Sequence, residues 1–401
     1  MRNSLLFLFG TAFLCFVLSC TTGGADSGNS SGSSDISSSS NGGDPGRCLE
    51  ASGPVACYGK LQAQGNKLIG SKTDGQPVIL RGVSLGWSQP NWESGRFFNA
   101  ETVNAMVDHW KAEIIRVPMG CTNNTCFNNT NTAAGAHSWP NNMASVRTTI
   151  DAALAKGVYV IIDWHSHNAH NEVPQATTFF TEMARDYGHL DNVIFEIYNE
   201  PVVDNQGTWP NIRGYAEQII PVIRGQGSQN LILVGTPRWC QLIDAPLESP
   251  LTDGNIAYVF HFYSHSHSLG DPSMQNSYSA RLNRVLEAGY PVFVSEYGTT
   301  HSDGGAFNAD PARDNYNTHN AQRTDEWHAF MDANMISSAA WNPNYKGEGS
   351  AFFGIRPVRT LTIEQIKAWD GWTNLNEMTP SGQYVYHKLQ AYAATASWRG
   401  H

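Results

Sequence analysis

Short apolar runs alternate with longer amphipathic segments along most of the chain. Six amphipathic segments predict helices: Ala100–Ala112, Met143–Lys156, Pro174–Tyr187, Ile212–Arg224, Tyr278–Ala288 and Ala321–Asn334. Eight apolar runs predict strands: Val78–Val83, Ile114–Pro118, Val158–Asp163, Val193–Tyr198, Leu231–Gly235, Ala257–Phe262, Val292–Ser295 and Ile336–Trp341. Strands that alternate with helices are typical of parallel α/β folds. Eight such strands favour a (β/α)8 TIM barrel, although a doubly wound open sheet has a similar alternation.

The first 46 residues have a different pattern and lie outside this predicted fold. The apolar run Leu5–Leu18 follows Arg2 and is too short for a comfortable membrane span, so it is typical of a secretory signal peptide. Residues 21–46 consist mainly of Ser, Gly, Asn and Asp, which indicates a flexible tether. We therefore expect a signal peptide at 1–20, a linker at 21–46 and one folded domain at 47–401.

The cysteines divide between the exported leader and the folded domain. Export permits disulfides, and two pairs are close enough in sequence to bridge locally, Cys48 with Cys57 and Cys121 with Cys126. Cys240 would then remain as a free thiol, which is more often buried packing than chemistry. The spacing of Cys and His residues does not match a zinc site.

Composition and charge narrow the class of partner. The chain has only 15% charged residues and many aromatic ones, which argues against a disordered protein. Its formal net charge of −10 disfavours nucleic acids and anionic substrates, because both require a basic surface. A neutral polysaccharide fits this balance better, and we expect a monomer that binds no nucleic acid.

Polar and aromatic side chains recur where the predicted strands end. In a barrel the carboxyl ends of the strands converge on one face, which is where active sites lie. One such residue alone is usually structural, but residues at six strand ends indicate a single site. They are Arg116, His165, Asn199, Glu200, His261, Tyr263, Glu296 and Trp341.

Two of these strand ends carry motifs that resemble glycoside hydrolase family 5, retaining barrel glycosidases that include many cellulases. The motifs are Tyr198-Asn199-Glu200-Pro201 and Val294-Ser295-Glu296-Tyr297-Gly298. The resemblance implies that Glu200 is the acid/base and Glu296 the nucleophile. It also implies that the site binds substrate through Arg116, His165, Asn199, His261, Tyr263 and Trp341. We expect Arg116 and Tyr263 to keep Glu296 ionised, and burial and a nearby negative charge to keep Glu200 protonated.

The segment after Trp341 resembles that of bacterial endo-1,4-β-glucanases. Lys346 and Glu348 match residues that contact sugars on the non-reducing side, whereas Pro343–Tyr345 replaces the usual Leu-Ser-Asp. The resemblance therefore implies an endo-1,4-β-glucanase, or cellulase, that cleaves internal bonds of cellulose or related β-glucans with no cofactor. An endo-mannanase or a xyloglucanase on the same barrel is the alternative.

Two other classes of function compete with this interpretation. A non-catalytic carbohydrate-binding lipoprotein would explain the aromatic residues but not the paired glutamates. A metal-dependent hydrolase is suggested by four residues close in sequence, Asp163, His165, His167 and His170. We expect no metal, because the strand ends already account for Asp163 and His165 and no convincing further ligands follow.

The leader generates the first prediction. Val17-Leu18-Ser19-Cys20 resembles a bacterial lipobox, so we expect a lipid on Cys20 and a protein that is secreted or anchored at the cell surface. The alternative is ordinary signal cleavage nearby. In a bacterial host that processes lipoproteins, mass spectrometry should find an acyl chain on Cys20, and Cys20→Ser should abolish detergent partitioning. A mature N-terminus elsewhere without an acyl chain would contradict the prediction.

Overall fold

Eight parallel strands form a closed barrel at the centre of the structure. The computed structural model describes residues 48, 51–89, 93–120, 139–202, 206–301, 320–345, 349–354 and 361–396. A hairpin of β1 (Leu61–Gln64) and β2 (Lys67–Gly70) precedes the barrel strands, which are β3 (Arg81–Ser84), β4 (Ile114–Gly120), β5 (Tyr159–His165), β6 (Val193–Glu196), β7 (Ile232–Val234), β8 (Ile256–Tyr263), β9 (Val292–Gly298) and β10 (Ser337–Trp341). Because β10 pairs with β3, the sheet has no edge and the predicted TIM barrel is confirmed.

Among the described residues, α-helices precede, connect and follow the barrel strands. They are α1 (Pro54–Tyr58), α2 (Ala100–Asp108), α3 (Trp139–Ala155), α4 (Val173–Tyr187), α5 (Trp209–Gly225), the short turn α6 (Pro237–Cys240), α7 (Tyr278–Glu287), α8 (Ala321–Ala333), α9 (Ile363–Lys367) and α10 (Pro380–Ala393). All six predicted helices are present. The start of α5 lies three residues before the prediction, because the Trp209-Pro210 pair begins a helix rather than preceding one. In the described part of the chain, none of the helices combines the length and apolar character needed to cross a bilayer.

Strand alternation divides the core into an inner and an outer part. Successive side chains of a strand point to opposite faces. On β4, Ile115 and Val117 therefore pack outward among the helices, whereas Ile114 belongs with Tyr159 and Val259 to the buried cluster inside the barrel. The barrel interior is thus apolar near the amino ends of the strands, and its polar residues lie toward the carboxyl ends.

The β1–β2 hairpin, which the pattern analysis missed, packs on the apolar end of the barrel. Leu61 and Leu68 belong to the same buried cluster as the inward side chains of the barrel strands. Its signal is a short alternating run interrupted at Gly65, whose φ of 56° suits a glycine turn. The Cys48–Cys57 disulfide forms beside this cluster, as the spacing permitted.

The other cysteines have different outcomes. Cys240 is buried with a free thiol, in agreement with the expectation. Cys20, Cys121 and Cys126 lie outside the described residues.

A β-bulge interrupts β9 where its functional residues lie. Val259 and His261 of β8 pair with Phe293 and Glu296, so two steps on β8 match three steps on β9. The pairing of β9 with β10 shows the same shift, since two steps on β10 match three steps on β9. One extra residue changes which way the following side chains point. As a result, the consecutive residues Ser295 and Glu296 both direct their side chains into the barrel.

The close approach of β3 and β4 generates a stability prediction. A Cβ atom at Gly82 would lie 1.9 Å from the backbone oxygen of Ile114, which cannot move without disturbing β4. We expect Gly82→Ala to lower the free energy of unfolding by about 1–3 kcal/mol, the usual cost of overpacking. Urea denaturation of the purified variant measures this loss.

Gly214 provides a matched control. It lies in α5, where an added Cβ would meet no atom within 4 Å. Gly214→Ala should therefore raise the free energy of unfolding by about 0.5–1 kcal/mol, because alanine is the better helix former. Equal effects of the two substitutions would show that β3 and β4 do not approach as described.

Candidate active site

A fully buried arginine occupies the centre of the polar end of the barrel. Arg116 on β4 directs Nε to Glu196 Oε2 at 2.7 Å and Nη1 to Glu296 Oε2 at 3.0 Å. Its Nη2 lies 3.0 Å from Asp163 Oδ2 and donates to Asn199 Oδ1 at 2.6 Å. The ends of β5, β6 and β9 are thereby joined to one guanidinium, whose planar fork suits several acceptors at once.

The charges in this cluster are unequal, because one cation faces three carboxylates. Burial alone would lower the pKa of Arg116, but the negative charges of Asp163, Glu196 and Glu296 outweigh it. The pKa of Arg116 is therefore raised, and the guanidinium stays protonated. Burial raises the pKa of Asp163 well above its usual range, although Arg116 acts in the opposite direction. Asp163 also lies 2.7 Å from His165 Nδ1. Burial thus favours the protonated form of Asp163, although its ion pair with Arg116 opposes this.

Both oxygens of Glu296 are held by hydrogen-bond donors. Oε2 accepts from Arg116, and Oε1 accepts from the Tyr263 hydroxyl at 2.7 Å. The side chain is only 4% exposed. Donors of this kind favour the ionised form of a carboxyl.

Glu200 lies in a different environment, at the end of the segment after β6. Its Oε1 is 2.9 Å from His261 Nδ1, and its Oε2 is 3.7 Å from His167 Nδ1. Burial raises the pKa of Glu200, but the hydrogen bond and charge of His261, with the charges of His167 and Arg116, outweigh it and lower the pKa. The expectation that burial dominates at Glu200 is therefore wrong, because the hydrogen bond and the charges of its neighbours outweigh burial.

The two glutamates lie close together across the barrel mouth. One carboxylate oxygen of each and one ring nitrogen of His261 all lie within 4.8 Å of one another. Among the described residues, this is the group of potential metal ligands that converges. The four residues that suggested a metal site bind other groups instead, such as His170, whose Nδ1 lies 2.8 Å from the Tyr198 hydroxyl.

The short turn α6 fixes the backbone around Glu200. Its last three residues have left-handed backbone, with φ of 58°, 51° and 61°. This conformation lets the Cys240 thiol donate to the carbonyl of Asn199 at 3.0 Å. It also lets Trp239 N donate to the carbonyl of Pro201 at 3.0 Å. The carbonyls on both sides of Glu200 are thus bound, which explains the buried free thiol.

Aromatic rings surround the carboxylates. Trp341 is 2% exposed and stacks on His165 at a centroid distance of 5.6 Å. Trp87, which is half-buried, contacts the edge of the same imidazole at 4.3 Å. Trp239 is 41% exposed and lies next to the Glu200 segment. Trp87 and Trp239 expose apolar ring surface of the kind that binds sugar rings, whereas Trp341 is buried.

Several residues of this site escaped the sequence analysis. Glu196, Ser295 and Trp87 all contact it, but none of the three was among the predicted site residues. A charged residue at an inward position of a buried strand, such as Glu196 in β6, was the available signal. Lys346 and Glu348 lie outside the described residues, whereas nearby Tyr345 is buried and packs on Phe97.

Comparison with known proteins gives a consistent result. Residues 71–347 match the family described as Cellulase (glycosyl hydrolase family 5). Endoglucanase Z of Dickeya dadantii (strain 3937) is 38% identical over 307 residues, 76% of this chain and 64% of that protein. Endoglucanase A of Butyrivibrio fibrisolvens is 35% identical over 300 residues, 73% of this chain and 62% of that protein. The chain therefore spans less than two thirds of both relatives.

A solved structure shares the fold. The catalytic domain of Thermobifida fusca endoglucanase Cel5A, crystallised as a variant in complex with cellotetraose, superposes with a TM-score of 0.67 at 31% identity. The match covers 84% of this chain and 99% of that one.

The buried cluster generates a prediction about stability and pH. Arg116→Met leaves three carboxylates without their cation, which should lower the free energy of unfolding by about 3–5 kcal/mol near neutral pH. Without the cation, the pKa values of these carboxyls are raised in the folded protein, so the folded state binds protons more tightly than the unfolded state. This proton binding stabilises the variant at low pH, and the stabilisation is lost as pH rises. Urea denaturation should therefore show a smaller loss at about pH 5 than at about pH 7.5.

Arg224→Met is the matched control. Arg224 binds the single carboxylate of Asp253 at 2.8 Å, and this contact keeps the pKa of Asp253 below its usual range. Asp253 stays ionised between these two pH values, so the loss in this variant should be the same at both. A pH-independent loss in Arg116→Met as well would contradict the charge argument.

Proposed function

The chain belongs to glycosyl hydrolase family 5, the cellulase family, and we propose that it is a retaining endo-1,4-β-glucanase. Its substrates would be cellulose or related β-glucans. The observation that carries the proposal is the proximity of Glu200 and Glu296, whose nearest oxygens lie within 4.8 Å. The carboxyls of retaining glycosidases lie about 5–5.5 Å apart, whereas those of inverting enzymes lie about 6.5–9.5 Å apart to admit a water. The short separation supports retention.

In the first step, Glu296 attacks the anomeric carbon. Its carboxylate oxygen forms a bond to that carbon while the bond to the leaving glycosidic oxygen breaks. Arg116 and Tyr263 hold the attacking carboxylate in place and favour its ionised form. The departing oxygen takes a proton from Glu200, supplied by the pair that Glu200 forms with His261.

In the second step, water displaces Glu296 from the glycosyl-enzyme. Glu200, now deprotonated, removes a proton from the water as its oxygen bonds to the anomeric carbon. Glu296 leaves as a carboxylate and Glu200 regains its proton. Two displacements at one carbon restore the starting configuration.

Other residues would bind and orient the sugar. Arg116 occupies Asn199 Oδ1, so the amide nitrogen is left as a donor for the 2-hydroxyl of the reacting sugar. Trp87 would supply a ring surface for the sugar, supported by His165 and, through it, by Trp341. The cellotetraose in the Thermobifida fusca structure supports a β-1,4-glucan as the substrate class.

Product stereochemistry and substrate choice test the proposal together. During early hydrolysis of barley-type β-glucan, proton NMR should detect the β-anomer first, before mutarotation. Carboxymethyl-cellulose should also be cut internally, and mannan should be cut little. A first-formed α-anomer would exclude Glu296 as nucleophile, and dominant mannan cleavage would replace the glucanase proposal with a mannanase.

Variants of the two glutamates complete this test. Glu200→Gln and Glu296→Gln should each lower kcat on β-glucan by about a thousandfold or more, which is about 4 kcal/mol of transition-state stabilisation. Glu287→Gln, an exposed residue at the end of α7, is the matched control and should keep full activity. Retention of kcat within about tenfold in either catalytic variant would contradict the assignment.

A further inference from the structure

A continuous chain of hydrogen bonds links the arginine cluster to the candidate acid/base. Ser295 Oγ lies 2.7 Å from Glu196 Oε1 and 2.9 Å from His261 Nε2. His261 Nδ1 in turn lies 2.9 Å from Glu200 Oε1. Ser295 and Glu196 are fully buried, and His261 is 1% exposed. Along such a chain, the atoms that can only accept a hydrogen bond determine where the protons lie.

The direction of the chain is set at Glu196. This carboxylate accepts from Arg116 Nε and Nη2, so its oxygens act as acceptors. A serine hydroxyl has one proton, and Ser295 therefore donates it to Glu196. Ser295 Oγ can then only accept from His261, which requires a proton on Nε2.

The remaining ring nitrogen determines what Glu200 can do. With Nε2 protonated, a neutral His261 has a bare Nδ1, which accepts the proton of the Glu200 carboxyl. If the proton moves across, Nδ1–H donates to the Glu200 carboxylate instead. In both states the pair of Glu200 and His261 holds one proton that can reach the glycosidic oxygen.

We propose that Ser295 is a positioning residue for the acid/base: its hydroxyl fixes His261 in the Nε2–H form and thereby keeps a transferable proton on Glu200. The proposal rests on the proposed function, in which Glu200 is the acid/base. Without the hydroxyl, Nε2 loses its acceptor, because Glu196 Oε1 is 3.9 Å away. His261 is then free to adopt the Nδ1–H form and donate to an ionised Glu200, which leaves no proton for the leaving group.

The β9 bulge makes this role possible. In a regular strand, the neighbour of Glu296 would face outward into the helices. The extra residue lets Ser295 turn inward as well. Ser295 is therefore adjacent in sequence to the candidate nucleophile but acts on the opposite carboxyl.

Other titratable groups surround the pair, and substitution of Ser295 leaves them in place. Burial lowers the pKa of His267 to about 4 and raises that of the Cys240 thiol well above its usual range, so both stay neutral near pH 7. The charged and titratable groups that face the pair are Arg116, Asp163, His167, Glu196, Cys240, Tyr263, His267 and Glu296.

Ser295→Ala tests the proposal through the dependence on the leaving group. For unactivated cello-oligosaccharides, kcat/KM should fall roughly tenfold to hundredfold, because departure of the sugar requires a proton. For 2,4-dinitrophenyl cellobioside, which departs without a proton, the fall should be less than about threefold. Equal losses on both substrates, in a variant with an unchanged unfolding temperature, would overturn the proposal.

The pH profile supplies a second readout. The hydrogen bond from Nε2–H is stronger when the ring is charged, so its loss weakens proton binding by the pair. The alkaline limb of kcat/KM should therefore move to lower pH by about one unit in Ser295→Ala. Ser295→Thr retains the hydroxyl and should restore both the limb and the activity on unactivated substrates. An unshifted limb in the alanine variant would contradict the proposal.

Nitrogen-15 NMR of the histidine rings separates this proposal from the proposed function. In the wild-type protein His261 should carry a proton on Nε2 at every pH at which the protein is folded, with its signal assigned from His261→Gln. A His261 protonated on Nδ1 alone would overturn the proposal, whatever the activity. A protein that shows the Nε2–H form but hydrolyses no β-glucan would instead refute the proposed function.

Discussion

The buried Arg116 cation is the constraint on which the rest of the site depends. A guanidinium removed from water requires carboxylates around it, and a closed barrel is one of few structures that can supply them from several directions. Here Asp163, Glu196 and Glu296 converge from three other strands. The apolar layer below excludes water and strengthens these interactions, whereas the open end above admits a ligand. The polar residues at this end of the barrel thus stabilise the fold and also form the candidate active site.

The two glutamates differ because their neighbours differ, not because their own chemistry does. Glu296 is held by a permanent cation and a tyrosine hydroxyl, and both favour its ionised form. Glu200 is held by His261, an imidazole whose ring nitrogens can donate or accept a hydrogen bond according to the tautomer. Backbone geometry places them: the β9 bulge directs Glu296 inward, and the turn α6 binds the carbonyls beside Glu200. A different local irregularity of the backbone therefore positions each of the two glutamates.

The sequence predicted the barrel and the strand-end residues because both follow from local patterns. Apolar runs, helical periodicity and the Asn199-Glu200-Pro201 motif can each be read within a few residues. Ser295 could not be predicted as inward, because regular alternation from Glu296 places it outside and only the pairing with β8 and β10 reveals the bulge. The proton position on Glu200 could not be predicted either. Burial suggested a protonated carboxyl, but the deciding partner, His261, is 61 residues away along the chain.

Glu196 couples the two halves of the site. Its Oε2 accepts from Arg116 Nε, the same guanidinium that binds Glu296, and its Oε1 accepts from Ser295, which leads to His261 and Glu200. A change of charge on Glu196 would therefore act on both candidate catalytic carboxyls: it would weaken the hold on Arg116 and reverse the direction of the serine hydrogen bond. In a low-dielectric interior neither effect is screened by water. One carboxylate that contacts no substrate in the proposed mechanism is thus hydrogen-bonded toward both that do, through Arg116 on one side and through Ser295 and His261 on the other.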